Sequence, residues 1–320
     1  MSNESADLQL AGREQSRKDR ERLYRYIFLT CATLTVVVTA GIFITLTVDA
    51  IKFFSTIPPV EFLTGTTWRV SRGEFGVLPL AFGTLAVTFI SALVAIPTGV
   101  LAAAYLSEYA SRRTRAVLKP GLEILAGIPT VVYGYLALVY FTPFLRRLGI
   151  DAGTFNILSA SILVGILIIP MVSSLSEDAM SAVPDSLREA SYGLGATKFD
   201  VTLGVVIPAA VSGIFASFIL ALSRAIGETM VVAMAMGLRP RMPSTTTGLF
   251  GIPYIQPMET VTTSGQTMTS AMVQAVSADA AVSPVVNQSL FALGLTLFVM
   301  TFAMNYLSNR IARRYREEYQ

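Results

Sequence analysis

Long apolar runs separated by short polar stretches set the outline of this chain. A helix needs roughly 20 predominantly apolar residues to cross the hydrocarbon of a bilayer. Six windows meet that length: about 26–50, 79–106, 120–145, 154–176, 209–236 and 286–307. Lipid offers the backbone no hydrogen-bond partners, and runs this long and continuous exclude the short alternating strands of a barrel, so each is predicted to be a helix. The expected fold class is therefore all-α, a polytopic membrane protein with about six transmembrane helices. Only the third and fifth runs carry charge deep inside, at Glu123 and at Arg224 with Glu228.

The polar stretches divide the rest. Residues 1–22 are charged and poor in large apolar groups, which predicts a disordered basic tail; 23–320 read as one transmembrane domain, with no repeat of 20 to 50 residues visible. The segment 51–78 contains Pro58-Pro59, Trp68 and Gly73-Glu74-Phe75-Gly76, which suits either a compact interfacial element or a plain connector. The segment 237–285 is rich in Thr, Ser, Pro and Gly. Within it a short helix is expected near 266–277, with Met268, Met272, Val273 and Val276 on one apolar stripe.

The polar segment 177–208 has its own punctuation. Val183-Pro184 restricts the chain before a helix, and Asp185 is favourable at the positive helix end. A short helix over 186–192 is expected to end at Gly193-Leu194-Gly195, where glycine tolerates left-handed angles. Thr197 can cap a second helix with Asp200 three residues on, and Pro208 follows near the next span. This helix, glycine turn and helix suit a well-capped loop and a docking element for a soluble partner about equally.

Composition and charge fix the setting. The 320 residues are 53% hydrophobic and 14% charged, with a mean hydropathy of +0.60, far from a soluble domain. Of the Lys and Arg residues, sixteen fall on the side of the termini and of 177–208, seven on the other side, and Arg224 lies within a span. Basic residues near span ends stay in the cytoplasm, so both termini and 177–208 are expected there, with 51–78 and 237–285 external. The net charge of +3 then reflects topology and implies no nucleic acid. Residues 26–48 carry no charge over 23 positions, longer than the apolar core of a signal peptide, and are expected to be a retained span. The single Cys31 reads as packing filler, and without histidine no His-based metal site or acid-base chemistry is expected. Gly195-Ala196-Thr197-Lys198 lacks the spacing of a phosphate-binding loop, so no ATP site is expected in this chain.

The intramembrane charges carry the sharpest chemistry. An arginine near the bilayer centre costs about 2.5 to 3.5 kcal/mol on insertion scales, so Arg224 should face the bundle interior, a cavity or a partner. Arg224 and Glu228 are four apart, which on a continuous helix puts them on one face as an ion pair. The guanidinium fork also suits phosphate oxygens, Gly227 would keep that face open, and Glu228 could hold the arginine until an anion arrives. Glu123 lies within a turn or two of its helix end and reads as either an interface charge or part of a path. Gly127, Pro129, Gly134 and Pro170 loosen their helices and suit hinges or cavity-lining backbone.

Glu189-Ala190-Ser191, three residues, Gly195, nine residues and Val205-Val206-Ile207-Pro208 resemble the EAA loop of bacterial ABC importer permeases, with Ser191, Val205 and Ile207 as small or apolar exchanges. Leu125-Ala126-Gly127-Ile128-Pro129-Thr130-Val131-Val132-Tyr133-Gly134 and Arg224-Ala225-Ile226-Gly227-Glu228-Thr229-Met230 further resemble the phosphate-specific branch, its PstC-type permeases more than the PstA-type. The resemblance implies that Glu189, Ala190, Ser191 and Gly195 contact an ATPase, and that Arg224 and Glu228 serve phosphate passage. It implies a PstA-like permease, a PstB-like ATPase dimer and a PstS-like phosphate-binding protein as partners in a prokaryotic plasma membrane. ATP and Mg would be held by the ATPase, with no cofactor on this chain. Competing expectations are a permease for another oxyanion such as tungstate or a phosphonate, an ion-coupled secondary transporter, and a membrane scaffold that tethers an ATPase.

Overall fold

The computed structural model describes residues 2–247, 253–277 and 284–317, with side chains over 20–245, 255–276 and 284–310. The first helix, α1 (Ser2–Thr56), begins well before the membrane span. Residues 2–22, expected to be disordered, continue that helix instead. They lack proline and are rich in Glu, Arg, Lys, Gln, Ala and Leu, so a helix nucleated by the apolar span can propagate back through them.

A short helix α2 (Pro59–Thr64) and a two-stranded antiparallel ribbon, β1 (Trp68–Arg69) with β2 (Glu74–Phe75), follow α1. Phe53, Phe62, Trp68 and Phe75 pack edge to face, with ring centroids 5.5 Å apart. This segment is a compact element and not a plain connector. Its closest approach joins Gly65 to Gly76, where an added Cβ would fall within 2.7 Å of backbone.

The bundle centres on α3 (Leu78–Ala104), which runs on through a π turn, Tyr105–Tyr109, and on α7 (Ile157–Ser181). Without a hydrophobic difference between helix and lipid, such pairs associate by close packing of small residues. Gly165 lies against Val94 and the carbonyl of Ser91, Gly99 lies against Val172, and Ser91 Oγ donates to the Ser161 carbonyl at 2.8 Å.

Between these two helices the chain does not cross as a single rod. The third apolar run is split into α4 (Arg112–Gly127), α5 (Thr130–Leu136) and α6 (Thr142–Arg147), the last two joined through a π turn, Ala137–Phe141. α4 meets the α5–α6 limb at 88°. The expected straight third span is thus a broken one. The cause is local: Pro129 removes an amide and restricts Ile128, which takes an extended φ,ψ of −66°, 129°. Tyr133 Oη donates back across the break to the Leu125 carbonyl at 2.8 Å and holds the bend.

After α7 come α8 (Asp185–Gly193) and α9 (Lys198–Val201), a π turn at Thr202–Val206, and α10 (Ile207–Gly227). The expected capping is present: Thr197 and Asp200 form a capping box, and Gly195 has φ +85°. The polar connection is shorter than the expected 177–208, because α7 continues to Ser181 and helix resumes at Lys198. Pro208 does not interrupt it. The π turn before Pro208 shifts the hydrogen-bond ladder, so a missing amide is tolerated, and Pro143 follows its own π turn in the same way.

The fifth run is likewise broken. α10 stops at Gly227, Glu228 is extended (φ −65°, ψ 130°), and α11 (Met230–Ala235) begins after Thr229. A small antiparallel pair, β3 (Thr245–Thr247) and β4 (Pro253–Ile255), then leads to α12 (Pro257–Thr262) and α13 (Met268–Ser277), and α14 (Pro284–Glu317) closes the chain against α1 and α10. The helix expected near 266–277 is present, but its buried face is Met268, Ala271 and Ala275, while Val273 and Val276 are exposed. Among the described residues five helices are long and apolar enough to cross a membrane, six with the bent α4–α6 unit. The chain is a multi-pass membrane protein.

Candidate functional site: a charged cavity beside an exposed helix

Arg224 sits in the last turn of α10 and lines a cavity of about 440 Å³ between α4, α7, α10 and the π turn that continues α3. Lys119 and Glu123 of α4, Pro170 and Glu177 of α7, and Arg224 line it among apolar side chains. The amphipathic α4 is brought to this wall by the 88° bend. Glu123, placed at a helix end in the sequence, therefore shares a chamber with Arg224.

The sequence spacing put Arg224 and Glu228 on one helix face. The structure does not, because the helix ends between them. Glu228 is 7% exposed, its Oε1 accepts from the Val231 amide at 3.3 Å, and its carbonyl accepts from Thr269 Oγ1 at 2.9 Å. It caps α11 and pins the break to α13. Arg224 has no carboxylate within ion-pair distance and no hydrogen-bond partner among the described residues, which leaves its guanidinium available to a ligand. Beside it Gly227 is exposed, with nothing within 4 Å of where a Cβ would be, and Ser223 Oγ donates to Asn305 Oδ1 of α14 at 2.8 Å.

The other candidate hinges differ in use. Gly127 ends α4 with open space around it and Pro129 starts α5. Gly134 packs its Cα against Met234, where a Cβ would meet the Met234 Cβ at 2.9 Å, and Pro170 lies inside an unbroken α7.

Two ion clusters, not apparent from charge counting, lie at and near the cavity. Glu177 is 1% exposed and pairs with Arg115 and, at 2.7 Å, with Lys119, whose Nζ also reaches Asp178 at 3.3 Å. Arg115 donates further to Ser181 Oγ at 3.0 Å. These bonds tie α4 to the end of α7, which a separation of 58 residues conceals in the sequence. Nearby, Arg188 of α8 donates to Glu108 Oε1 at 3.1 Å, to Asp185 Oδ1 at 3.1 Å and to the Met180 carbonyl at 2.8 Å. Arg188 thus fastens α8 to both α3 and α7, with hydrogen bonds to charged groups worth about 1.5 to 3 kcal/mol each where water is excluded.

Apart from that anchor, α8 faces outward. None of its residues is buried; Glu189 and Ala190 are exposed and Ser191 is half-buried, its Oγ returned to the Leu187 carbonyl. Leu194 is 91% exposed and Phe199 62%. Exposed apolar groups thus surround a capped, anchored helix.

Residues 95–317, most of the chain, match the binding-protein-dependent transport system inner membrane component family. The chain belongs to that family. It is 33% identical to the probable ABC transporter permease protein YqgH of Bacillus subtilis, over 96% of this chain and 97% of that protein. It is 32% identical to the phosphate transport system permease protein PstC of Mesorhizobium japonicum, over 88% of each. Among solved structures, a bacterial alginate ABC transporter in complex with its alginate-bound periplasmic protein superposes with a TM-score of 0.62 at 16% identity, covering 92% of this chain and 96% of that one. At that identity the likeness establishes the fold, a type I importer permease.

Proposed function

We propose that this chain is the permease subunit of an ATP-driven phosphate importer, forming half of the translocation path. The carrying observation is Arg224, a guanidinium without a counter-ion among the described residues that lines a cavity between helices of the bundle. A planar, permanently charged fork binds phosphate oxygens in pairs. The similarity to a phosphate transport permease along 88% of the chain supports phosphate over other oxyanions.

The side that bears α8 carries the excess of Lys and Arg and is assigned to the cytoplasm with both termini. There α8 would meet an ATPase, with Glu189 offering a charge to a basic group and Ala190, Ser191 and Gly195 allowing close approach. This chain would hold no nucleotide; ATP and Mg would sit on a partner ATPase dimer. A second, PstA-like permease would complete the path, and a PstS-like protein would deliver phosphate from outside. Nucleotide-driven movement of α8 would pass through Arg188 to α7 and α3. It would also pass along α9 and α10, whose stretch from Ile207 to Gly227 spans about 30 Å, to Arg224.

Glu189→Lys and Gly195→Asp test the coupling role. Gly195 sits at φ +85°, where a side chain is strained, while Glu189 has no ion-pair partner among the described residues. Both variants are expected to reach the membrane but to lose at least five- to tenfold in ATPase copurification, an effect of about 1 kcal/mol. Undiminished copurification and transport in both would overturn the coupling role. Excess tungstate or a phosphonate is expected to leave labelled phosphate uptake unchanged; strong competition would reassign the cargo.

A further inference from the structure

A second cavity, of about 740 Å³, opens at the opposite end of the bundle from α8. Arg239 and Arg241 line it, with Asp151, Thr154, Thr262 and Ser264. We propose that this cavity is a phosphate-binding vestibule, a weak oxyanion site distinct from the Arg224 chamber, at which inorganic phosphate first contacts the permease from outside. The inference rests on the importer reading for the direction of travel, whereas the oxyanion chemistry rests on the cavity itself.

Three separate stretches build the walls, and backbone hydrogen bonds lock them together. The Gly153 amide donates to the Thr262 carbonyl at 2.8 Å, Asn156 to Ala235 at 3.1 Å, Ile157 to Thr263 at 3.1 Å and Gly265 to Met236 at 3.1 Å. Gly237 turns the chain at φ +90°, with the position of a Cβ only 3.1 Å from Phe155 Cβ, and Leu238, Arg239 and Arg241 after it line the cavity. The cavity is therefore a fixed feature and not a gap between loose loops.

Its electrostatics favour an anion. Neither Arg239 nor Arg241 has a hydrogen bond or ion pair among the described residues, although Asp151 lines the same cavity. Among the described residues, one carboxylate against two guanidinium groups leaves a net positive lining. Arg146 donates to the Ala152 carbonyl at 2.7 Å and to Thr154 Oγ1, a lining group, at 3.2 Å, and brings a further positive charge that has no ion pair among the described residues. Of the seven basic residues assigned to the external side, Arg239 and Arg241 line this cavity. Membrane topology gains nothing from arginines there, since basic residues favour the other side. Hydroxyls and unpaired guanidinium forks together supply the donors that phosphate oxygens require, and a cleft of one sign raises the local anion concentration. The volume admits a partly hydrated anion, so a readily released site is expected.

The test uses the complete complex of this chain with its permease and ATPase partners in nanodiscs of neutral phosphatidylcholine, without the binding protein. Equilibrium binding of radiolabelled inorganic phosphate is measured in an Arg224→Gln background, which removes the deeper site. That background is expected to bind phosphate, and adding Arg239→Gln with Arg241→Gln is expected to weaken binding at least fivefold. The lysine pair, Arg239→Lys with Arg241→Lys, should fall between, and ATPase copurification confirms assembly of each variant. Phosphate binding that is equal with and without the two outer arginines would overturn the proposal. Discs containing anionic phosphatidylglycerol separate a lipid headgroup from free phosphate: arginine-dependent lipid enrichment with no phosphate binding in either disc would also overturn it. Phosphate uptake that survives Arg224→Gln would instead strike the proposed path through Arg224 and leave the outer site standing.

Discussion

Arg224→Gln is expected to reduce phosphate uptake about 10- to 100-fold while leaving the assembled complex and its basal ATP hydrolysis in place. The range follows from losing one charge-assisted hydrogen bond to the passing anion, worth about 1.5 to 3 kcal/mol. Assembly should survive because Arg224 makes no ion pair among the described residues and lines open space, so no partner is left unsatisfied. Arg224→Lys keeps the charge but not the planar fork and should recover only part of the rate. Reconstituted complexes measured for uptake and for ATPase activity separate the two effects. Loss of assembly in both variants would assign Arg224 a structural role.

Gly83→Val is expected to have the largest effect on stability. A Cβ at Gly83 would lie 2.1 Å from the carbonyl oxygen of Gln266 and 3.0 Å from its carbonyl carbon, and a main chain held on both sides cannot swing away as a flexible side chain does. The next residue, Thr84, accepts a hydrogen bond from the Met268 amide at 3.1 Å, so the same displacement unseats the start of α13. Overpacking of this kind costs about 1 to 3 kcal/mol and the lost hydrogen bond about 1 more, a large share of a typical total of about 5 to 15. A fall in the thermal midpoint of the purified protein checks this. Gly127→Ala, where nothing lies within 4 Å, is the matched control and should leave it unchanged. Equal midpoints for Gly83→Val and the wild type would mean that α3 and the 265–268 segment are not in this contact.

Local chemistry was the legible part of the sequence. Apolar length located the spans, and the glycine and Thr197/Asp200 pattern located the ends of α8 and α9, because each depends only on neighbours in the chain. The two breaks were harder. Pro129 advertised one, but nothing local indicates that Glu228 leaves the helix to cap α11 and meet Thr269, since that contact joins residues 41 apart. A continuous helix was therefore assumed, and with it a pairing of Arg224 and Glu228 that the structure does not make. The chamber itself was invisible for the same reason: Glu177 and Lys119 meet only when α4 folds against α7, and Arg188 read as a topological charge until its bonds to Glu108 and Met180 fixed α8 in place. The stripe on α13 failed at Val273 and Val276 because small alanines, not the larger valines, fit the tight approach to α3 and α14.

The most direct test of the whole account is phosphate uptake into vesicles that contain the reconstituted complex, measured with ATP supplied to the α8 side or with an ion gradient alone. ATP hydrolysis at the partner subunits should drive uptake, and omission of the ATPase should abolish it. Phosphate accumulation by this chain without the ATPase, driven by the gradient, would contradict the account.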